Sequence, residues 1–388
     1  MVKKALLIAL LGGLVACVDS FTPRDLQSVE GYLVVEGNIA LDGPFEIQLS
    51  RSYPITVANQ TGKRSVAYVN DAVLHVKDAQ GRLYPMIDTV VANGRYTFDL
   101  SSLHLDVTTP YQLVISTPDD GLQYESEPLV NRTTSDMELS YVIDSLAQEV
   151  RIMVSSYNPD RKASFYTWQF SETWDYVSQI AATCYFNGYA VVPSLYPVNH
   201  RCWKSQRSSD VLVLETEKLS ENRVDSYVIQ TIPYTDIRIT QHYSILVTQS
   251  ALDKDAYTFY MNMRKNSNDI GSLFSPQPNE ISGNIHCTSD PSVPVVGYVS
   301  VCSSVTKRLF VDCRYLPKTY YQMGTDIEYK IDTPTYVLVQ ATRSGYLPYE
   351  YDDVKGVSIW NVRRCVDCTY RGGVLEPPAF WPKEWPIY

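Results

Sequence analysis

Phe45-Glu46-Ile47-Gln48-Leu49-Ser50 alternates apolar and polar residues without a break, and a period of two is what a strand with one face on a core requires. Moving outward, Tyr111, Leu113 and Ile115 repeat the pattern, and Ala72, Leu74 and Val76 form another strand closed by Asp78-Ala79-Gln80-Gly81. Asn93-Gly94 predicts a type I′ hairpin between Val90-Val91 and Tyr96-Thr97-Phe98, because both turn residues tolerate positive φ. Asp119-Asp120-Gly121 predicts a further turn. About six or seven short strands at this spacing over residues 32–135 suggest an immunoglobulin-like β-sandwich.

The β pattern continues through 136–375. Val150 to Val154 alternates, and in the run Phe165 to Tyr176 the residues Tyr166, Trp168, Phe170, Glu172, Trp174 and Tyr176 share one strand face. A single long aromatic strand reads as a core ladder before it reads as a sugar or peptide platform. Glu172 and Asp175 stand three apart, so a strand turns them to opposite faces and they do not form an acid/base pair. Further strands are expected at Tyr243 to Gln249, Val295 to Val301, Arg308 to Val311 and Tyr336 to Ala341.

One amphipathic helix is expected near 250–266. Ser250-Ala251-Leu252-Asp253 has the form of a capping box, and Leu252, Ala256, Phe259, Tyr260 and Met263 follow at helical spacing as a lid over a sheet. Residues 376–388 hold four prolines, which lack backbone donors, so they predict an extended strap pressing Phe380 and Trp381 onto the body. The fold class read from these patterns is mainly β, an immunoglobulin-like β-sandwich N-terminal domain followed by a larger β-rich domain with one amphipathic helix.

Composition agrees with this. The chain has 388 residues, 45% hydrophobic and 20% charged, with ordinary counts of 18 Gly and 22 Pro, which excludes collagen-like and low-complexity chains. Thirty Tyr, 10 Phe and 6 Trp favour sheet over helix. The formal charge is −10, and without Lys3 and Lys4 it becomes −12, 31 bases against 43 acids. An acidic body is repelled by phosphate backbones and anionic leaflets, so nucleic acid is not an expected partner.

Residues 1–16 read as a leader, with Lys3 and Lys4 before the apolar run Ala5 to Ala16. That run is too short to span a bilayer, which takes about 20 residues, and fits a secretory signal. It ends in Leu14-Val15-Ala16-Cys17, which is similar to the bacterial lipobox. Cleavage before Cys17 and acylation there would tether the chain to a membrane through residues 17–31 as a linker. Two or three acyl chains, at about 0.8 kcal/mol per buried CH₂, hold a protein at a membrane where one does not. The side of the membrane is left open, because Val18-Asp19-Ser20 carries no acidic run.

Seven cysteines remain: Cys184, Cys202, Cys287, Cys302, Cys313, Cys365 and Cys368. Outside the cytoplasm the expectation is disulfide bonding, with Cys184 paired to Cys202. Cys365-Val366-Asp367-Cys368 has three readings: a redox centre, half of a zinc site, or a structural staple. A redox pair wants a helix N-terminus, whereas the flanks here look like loop, and zinc needs a second ligand pair that the five scattered His do not offer. The structural disulfide is therefore preferred.

No G-x-S-x-G, H-E-x-x-H, P-loop, dinucleotide or EF-hand pattern occurs. No catalytic residue, metal or cofactor is expected.

Several short motifs occur in order: Tyr32-Leu33-Val34-Val35-Glu36-Gly37, Tyr166-Thr167-Trp168, Glu172-Thr173-Trp174, Cys202-Trp203, and Tyr243 to Gln249. Gly271-Ser272-Leu273-Phe274, Gln277-Pro278, Gly283 to Cys287 and Gly297-Tyr298 follow. The set closes with Cys365-Val366-Asp367-Cys368, Arg371-Gly372-Gly373, Pro378 and Phe380-Trp381. This ordered set resembles the Bacteroidota lipoprotein family known as domain of unknown function 4249. Cys302 and Cys313 depart from the family pattern. They suggest an extra disulfide, which leaves Cys287 to compete for Cys365 or Cys368. The resemblance implies a non-enzymatic, lipid-anchored outer-membrane lipoprotein, an accessory or ligand-binding partner of a TonB-dependent receptor barrel. The alternatives are a cell-surface hydrolase of glycan or peptide and a structural envelope component.

Overall fold

The structure is a computed structural model that describes residues 31–52, 66–85, 92–160, 162–268, 283–317 and 324–385. The leader 1–16, Cys17 and all but the end of the 17–31 linker lie outside the described residues. So do Val90, Val91, Gly271 to Phe274 and Gln277-Pro278.

Two sheets form a first sandwich. Leu33–Gly37, Pro44–Arg51 and Arg95–Asp99 make one layer, and Val73–Asp78, Pro110–Thr117 and Leu122–Ser126 the other. The alternating residues meet between them: Ile47 and Leu49 pack with Leu74, Val76, Leu113 and Ile115. Asn93 and Gly94 take φ of 55° and 66° inside an Ala92↔Arg95 bridge, the two-residue turn that the pair dictates.

This sandwich is not confined to 32–135. Ile285–Cys287 pairs antiparallel with Leu122–Ser126, and Val295–Gly297 pairs in parallel with Leu33–Gly37. Ile285, Cys287, Val299 and Val301 enter the same core. The contiguous boundary is thus corrected to a discontinuous one, because two short strands far along the chain cover one edge of each sheet.

A second sandwich follows. Met137–Asp144, Glu149–Tyr157 and Arg223–Pro233 form a three-stranded sheet, which faces Arg201–Arg207, Phe165–Val177, His242–Leu252 and Ser304–Asp312 in that order, with Leu212–Glu215 beside Phe165–Val177. The aromatic strand is a core ladder: Tyr166, Trp168, Phe170, Trp174 and Tyr176 pack on Val150, Ile152 and Val154. The Trp168 indole N–H donates to Gln249 Oε1 at 2.9 Å, which satisfies both buried groups.

The helix spans Lys254–Asn268. Ser250 does not cap it, because His242–Leu252 stays in its ladder through Ser250 and Leu252. Asp253 caps it instead, accepting from the Ala256 N–H at 2.7 Å. Ala256 and Phe259 pack on Phe165, Val213 and Leu252 of the second sandwich and on Tyr298 next to the first. The helix is therefore a wedge where the two sandwiches meet, which Arg207 Nη2 to Glu46 Oε2 at 3.1 Å also bridges.

A smaller unit closes the fold. Ile327–Lys330, Val357–Val362 and Tyr346–Asp352 form a sheet, joined by the hairpin Ala182–Phe186 with Val191–Val198. The strand expected at Tyr336 to Ala341 is instead the helix Thr335–Arg343. A short apolar run fits either period. Leu338 and Ala341, one turn apart, bury against Trp360, and Gly345 at φ 85° follows the last turn.

The disulfide pairing differs from every expected one. Cys202 bonds Cys368, while Cys184, Cys287, Cys302, Cys313 and Cys365 are free and buried. The Cys368 N–H donates to Asn199 O at 2.9 Å and Tyr176 Oη donates to Cys368 O at 3.0 Å, so backbone contacts bring residue 368 beside 202. Cys184 stays a buried thiol on the hairpin strand Ala182–Phe186, where burial and then Glu350 push it up to about 12. Cys365 lies on the four-residue helix Arg363–Val366, with the 3-10 turn Cys368–Arg371 after it, not in the loop expected there. Arg371-Gly372-Gly373 then passes the bond so closely that a Cβ on Gly373 would stand 2.4 Å from Tyr176 Oη and 2.8 Å from Cys202 Cβ.

Candidate functional site: a buried carboxylate cluster and an uncharged distal tip

Two carboxylates of the aromatic strand are fully enclosed. Glu172 faces the sandwich interior: Arg238 Nη1 donates to both oxygens at 2.9 Å, Tyr243 Oη to Oε1 at 2.6 Å, and Gln230 Nε2 to Oε1 at 3.1 Å. Burial and then Glu172 raise the Tyr243 hydroxyl well above its ordinary value. Arg238 is raised too: burial opposes the charge, but bonds to Asp236 and the Glu172 charge outweigh it.

Asp175 lies on the opposite face, as the three-residue spacing requires. Its Oδ1 accepts from the His242 backbone N–H at 2.7 Å, its Oδ2 accepts from Arg201 Nε at 2.6 Å, and His242 Nδ1 is 3.2 Å from both oxygens. A carboxylate holding one imidazole nitrogen is two thirds of a nucleophilic triad. The third part is missing. Among the described residues His242 Nε2 has no hydrogen-bond partner, with Asp312 Oδ1 4.0 Å away, and Trp385 stacks on the ring at 4.1 Å. The nearby Cys313 thiol is pushed up to about 12, by burial first and then by Asp312 and Asp175, which suppresses the nucleophilic thiolate. Ser178 offers no alternative: its hydroxyl donates to Ile180 O at 2.8 Å while lying 2.8 Å from His200 Nδ1, so it accepts from the imidazole. Burial and then Arg201 lower the His200 pKa.

These groups hold the sheet together around neutralised charges. Sequence reasoning placed Glu172 and Asp175 on separate faces and missed Arg201, Arg238 and His242. Charged residues that far along the chain give no local signal of the partner they meet. Among the described residues, no cluster of three or more His, Cys, Asp or Glu is placed to hold a metal.

The other feature is a surface. Residues 176–199 contain no Asp, Glu, Lys or Arg, in a chain that is 20% charged. The hairpin is packed next to its turn, where Phe186 pairs with Val191 and stands 5.8 Å from the Trp360 ring. Several of its large side chains are exposed: Leu195 is 96% exposed, Tyr189 80% and Tyr196 67%, and Tyr336 on the helix Thr335–Arg343 is 72% exposed. Thr335 Oγ1 donates to Tyr189 O at 3.0 Å and joins the helix to the hairpin.

The ladders place this tip. Leu33–Gly37 runs toward the Ile39↔Val301 bridge, and Arg132↔Cys302 leads from there into the second sandwich, so Gly31 lies at the outer end of the first sandwich. Phe165 begins its strand at the helix wedge and Val177 ends it at the hairpin. The uncharged tip and Gly31 are at opposite ends.

No curated protein matches the chain. Among solved structures it is similar to the chicken interferon gamma receptor alpha chain, at 14% identity and TM-score 0.18, covering 57% of this chain and 90% of that one. A cytokine receptor complex gives 9% identity and TM-score 0.19, covering 56% and 84%. A trypsin-activated alpha-2-macroglobulin from Escherichia coli gives 11% and TM-score 0.16, covering 58% of this chain and 15% of that one. At these TM-scores none of the three carries an argument, and the fold class rests on the sheets themselves. Residues 19–308, most of the chain, match the family described as Domain of unknown function (DUF4249), and the chain belongs to that family.

Proposed function

We propose that this chain is a lipid-anchored, non-enzymatic lipoprotein of the outer membrane that presents a binding face to a partner, an accessory to a TonB-dependent receptor barrel. The observation that supports the reading is the uncharged tip of Tyr189, Leu195, Tyr196 and Tyr336 at the end opposite Gly31. A tether through Cys17 would enter at Gly31, at the other end of the strand ladders from this hairpin. Aromatic residues free of charge are the composition of an interface core, and contiguous exposed apolar surface marks interaction sites on soluble bodies. The buried carboxylates, each neutralised by arginine, supply no free acid or base.

The test is a photo-crosslinking residue at position 189 or 196 in the full-length chain expressed in its own envelope. Crosslinking to one outer-membrane barrel is expected, with loss when Leu195→Asp is added. Capture of lipid alone, or a Cys17→Ser chain that still fractionates with membranes and takes up no palmitate in its parent form, would defeat the reading.

A further inference from the structure

We infer that the outer face of the five-stranded sheet of the second sandwich is a recognition groove for a proline-punctuated peptide segment bearing two tryptophans, and that the chain's own residues 376–385 fill it in cis. The floor of the groove is set by strand register. Asp175 pairs with Trp203 and His242 with Asp312 in one row, and Ser205, Thr173, Ser244 and Phe310 align in the next. His242, Ser244 and Trp203 of this face are buried, and Trp381 and Trp385 of the strap stand against Trp203 and His242.

The strap meets the floor through rings. Trp381 stands edge-on to Trp203 and to Phe310, both at 6.4 Å, and Trp385 stacks on His242 at 4.1 Å and meets Phe310 at 5.6 Å. Arg308 lies over the Phe380 ring at 3.6 Å. The last ladder contact is the Trp203↔Val374 bridge. Beyond it the strap meets the described residues of the body chiefly through its rings. Their backbone bonds are local turns, Trp381 N–H to Pro378 O at 2.9 Å and Trp385 N–H to Pro382 O at 3.3 Å. Each tryptophan thus stands at the end of a proline-started turn and is recognised by shape. The expected extended strap is thus two proline-started turns, in which the fixed proline φ pre-orders the backbone and lowers the entropy lost on seating the rings.

The cis fit is incomplete. Among the described residues, Trp381 Nε1, Trp203 Nε1 and His242 Nε2 are buried without a partner. Arg308 bonds Ser244 Oγ at 3.1 Å and Phe380, and no carboxylate reaches it among the described residues. A segment from another protein with an acidic residue in register with Arg308 gains an ion pair that the strap lacks, and so can displace it. The partner chemistry is therefore a proline- and tryptophan-bearing segment with an acid near the first aromatic residue.

The experiment uses the full-length chain carrying Phe380→Ala, Trp381→Ala and Trp385→Ala, with a fluorescent peptide of residues 376–385 as probe. The variant is expected to bind the peptide saturably and at least about tenfold more tightly than the unaltered chain, whose tethered strap competes at high effective concentration. Adding Arg308→Ala should weaken that binding again. Equal binding by variant and unaltered chain, or none by a variant that keeps its thermal melt and the Cys202–Cys368 bond, overturns the inference. If the variant does not fold, the unaltered chain decides the matter: excess peptide should speed tryptic cleavage after Lys383, and unchanged cleavage overturns the groove.

Discussion

Cys202 and Cys368 are joined across 166 residues of sequence, and the bond fixes the root of the C-terminal strap to the edge strand of the second sandwich. Cross-linking so long a loop removes denatured-state entropy worth roughly 4–5 kcal/mol in the chain-entropy model. Cys202→Ser should therefore lower the urea midpoint markedly. In the native chain, peptide mapping should find 202 linked to 368. The thiols of Cys184, Cys302 and Cys313, each pushed up to about 12 by burial first, should alkylate only after unfolding. Rapid native alkylation of those thiols, or a 184–202 link in the map, would contradict the structure.

Arg238→Met should cost about 3–5 kcal/mol, because it strands the Glu172 carboxylate, 2% exposed, without its cation. Glu172→Gln added to it should recover part of that loss, since the amide still accepts from Tyr243 without a charge to neutralise. Chemical denaturation of the single and double variants gives the comparison. A single variant within about 1 kcal/mol of the unaltered chain would show that the pair is hydrated, contrary to its burial.

The local part of this architecture was legible in the sequence and the long-range part was not. Period-two runs such as Phe45 to Ser50 and the Asn93-Gly94 turn specify strands and a hairpin by themselves, because side-chain alternation and positive φ are properties of adjacent residues. Ser250 was misread because a capping pattern and a strand end overlap there, and the ladder to Phe165–Val177 prevails. Tyr336 to Ala341 was misread because six residues cannot separate the two periods. The return of Ile285–Cys287 to the first sandwich, the 202–368 bond and the meeting of Asp175 with Arg201 and His242 depend on pairing across long intervals, for which spacing carries no signal. The uncharged stretch 176–199 was open to reading as composition; its exposure was not.

Two glycines with nearly the same backbone angle separate conformational strain from steric exclusion. Gly94 has φ +66° and a Cβ there would stand 2.0 Å from Leu49 O, whereas Gly121 has φ +70° and open space around it. Gly121→Ala should cost about 1 kcal/mol for the left-handed angle alone. Gly94→Ala should cost clearly more, because the strand Pro44–Arg51 must shift to admit the methyl group. Thermal melts of the two variants decide it, and equal costs would remove the close approach of the turn to Leu49.

The acid limb of stability should carry a signature from Asp312. Hydrogen bonding to Arg314 leads the causes that lower its carboxyl to about 2 from an ordinary 3.8, against the opposing effect of burial, and His242 adds to the lowering. A group whose pKa falls on folding contributes stability that is complete above its unfolded value and disappears as pH drops through the folded one. The unaltered chain should therefore lose this contribution between pH 3.8 and about 2. Asp312→Asn should leave the melting temperature less steeply dependent on pH across that window while changing it little at pH 7, since the side chain is 36% exposed and screened by solvent. Melting curves at half-unit pH steps test this. An acid limb of unchanged slope in the variant would mean that Arg314 does not hold the carboxylate in solution, and that His242 keeps its place beneath Trp385 by Asp175 and ring stacking alone.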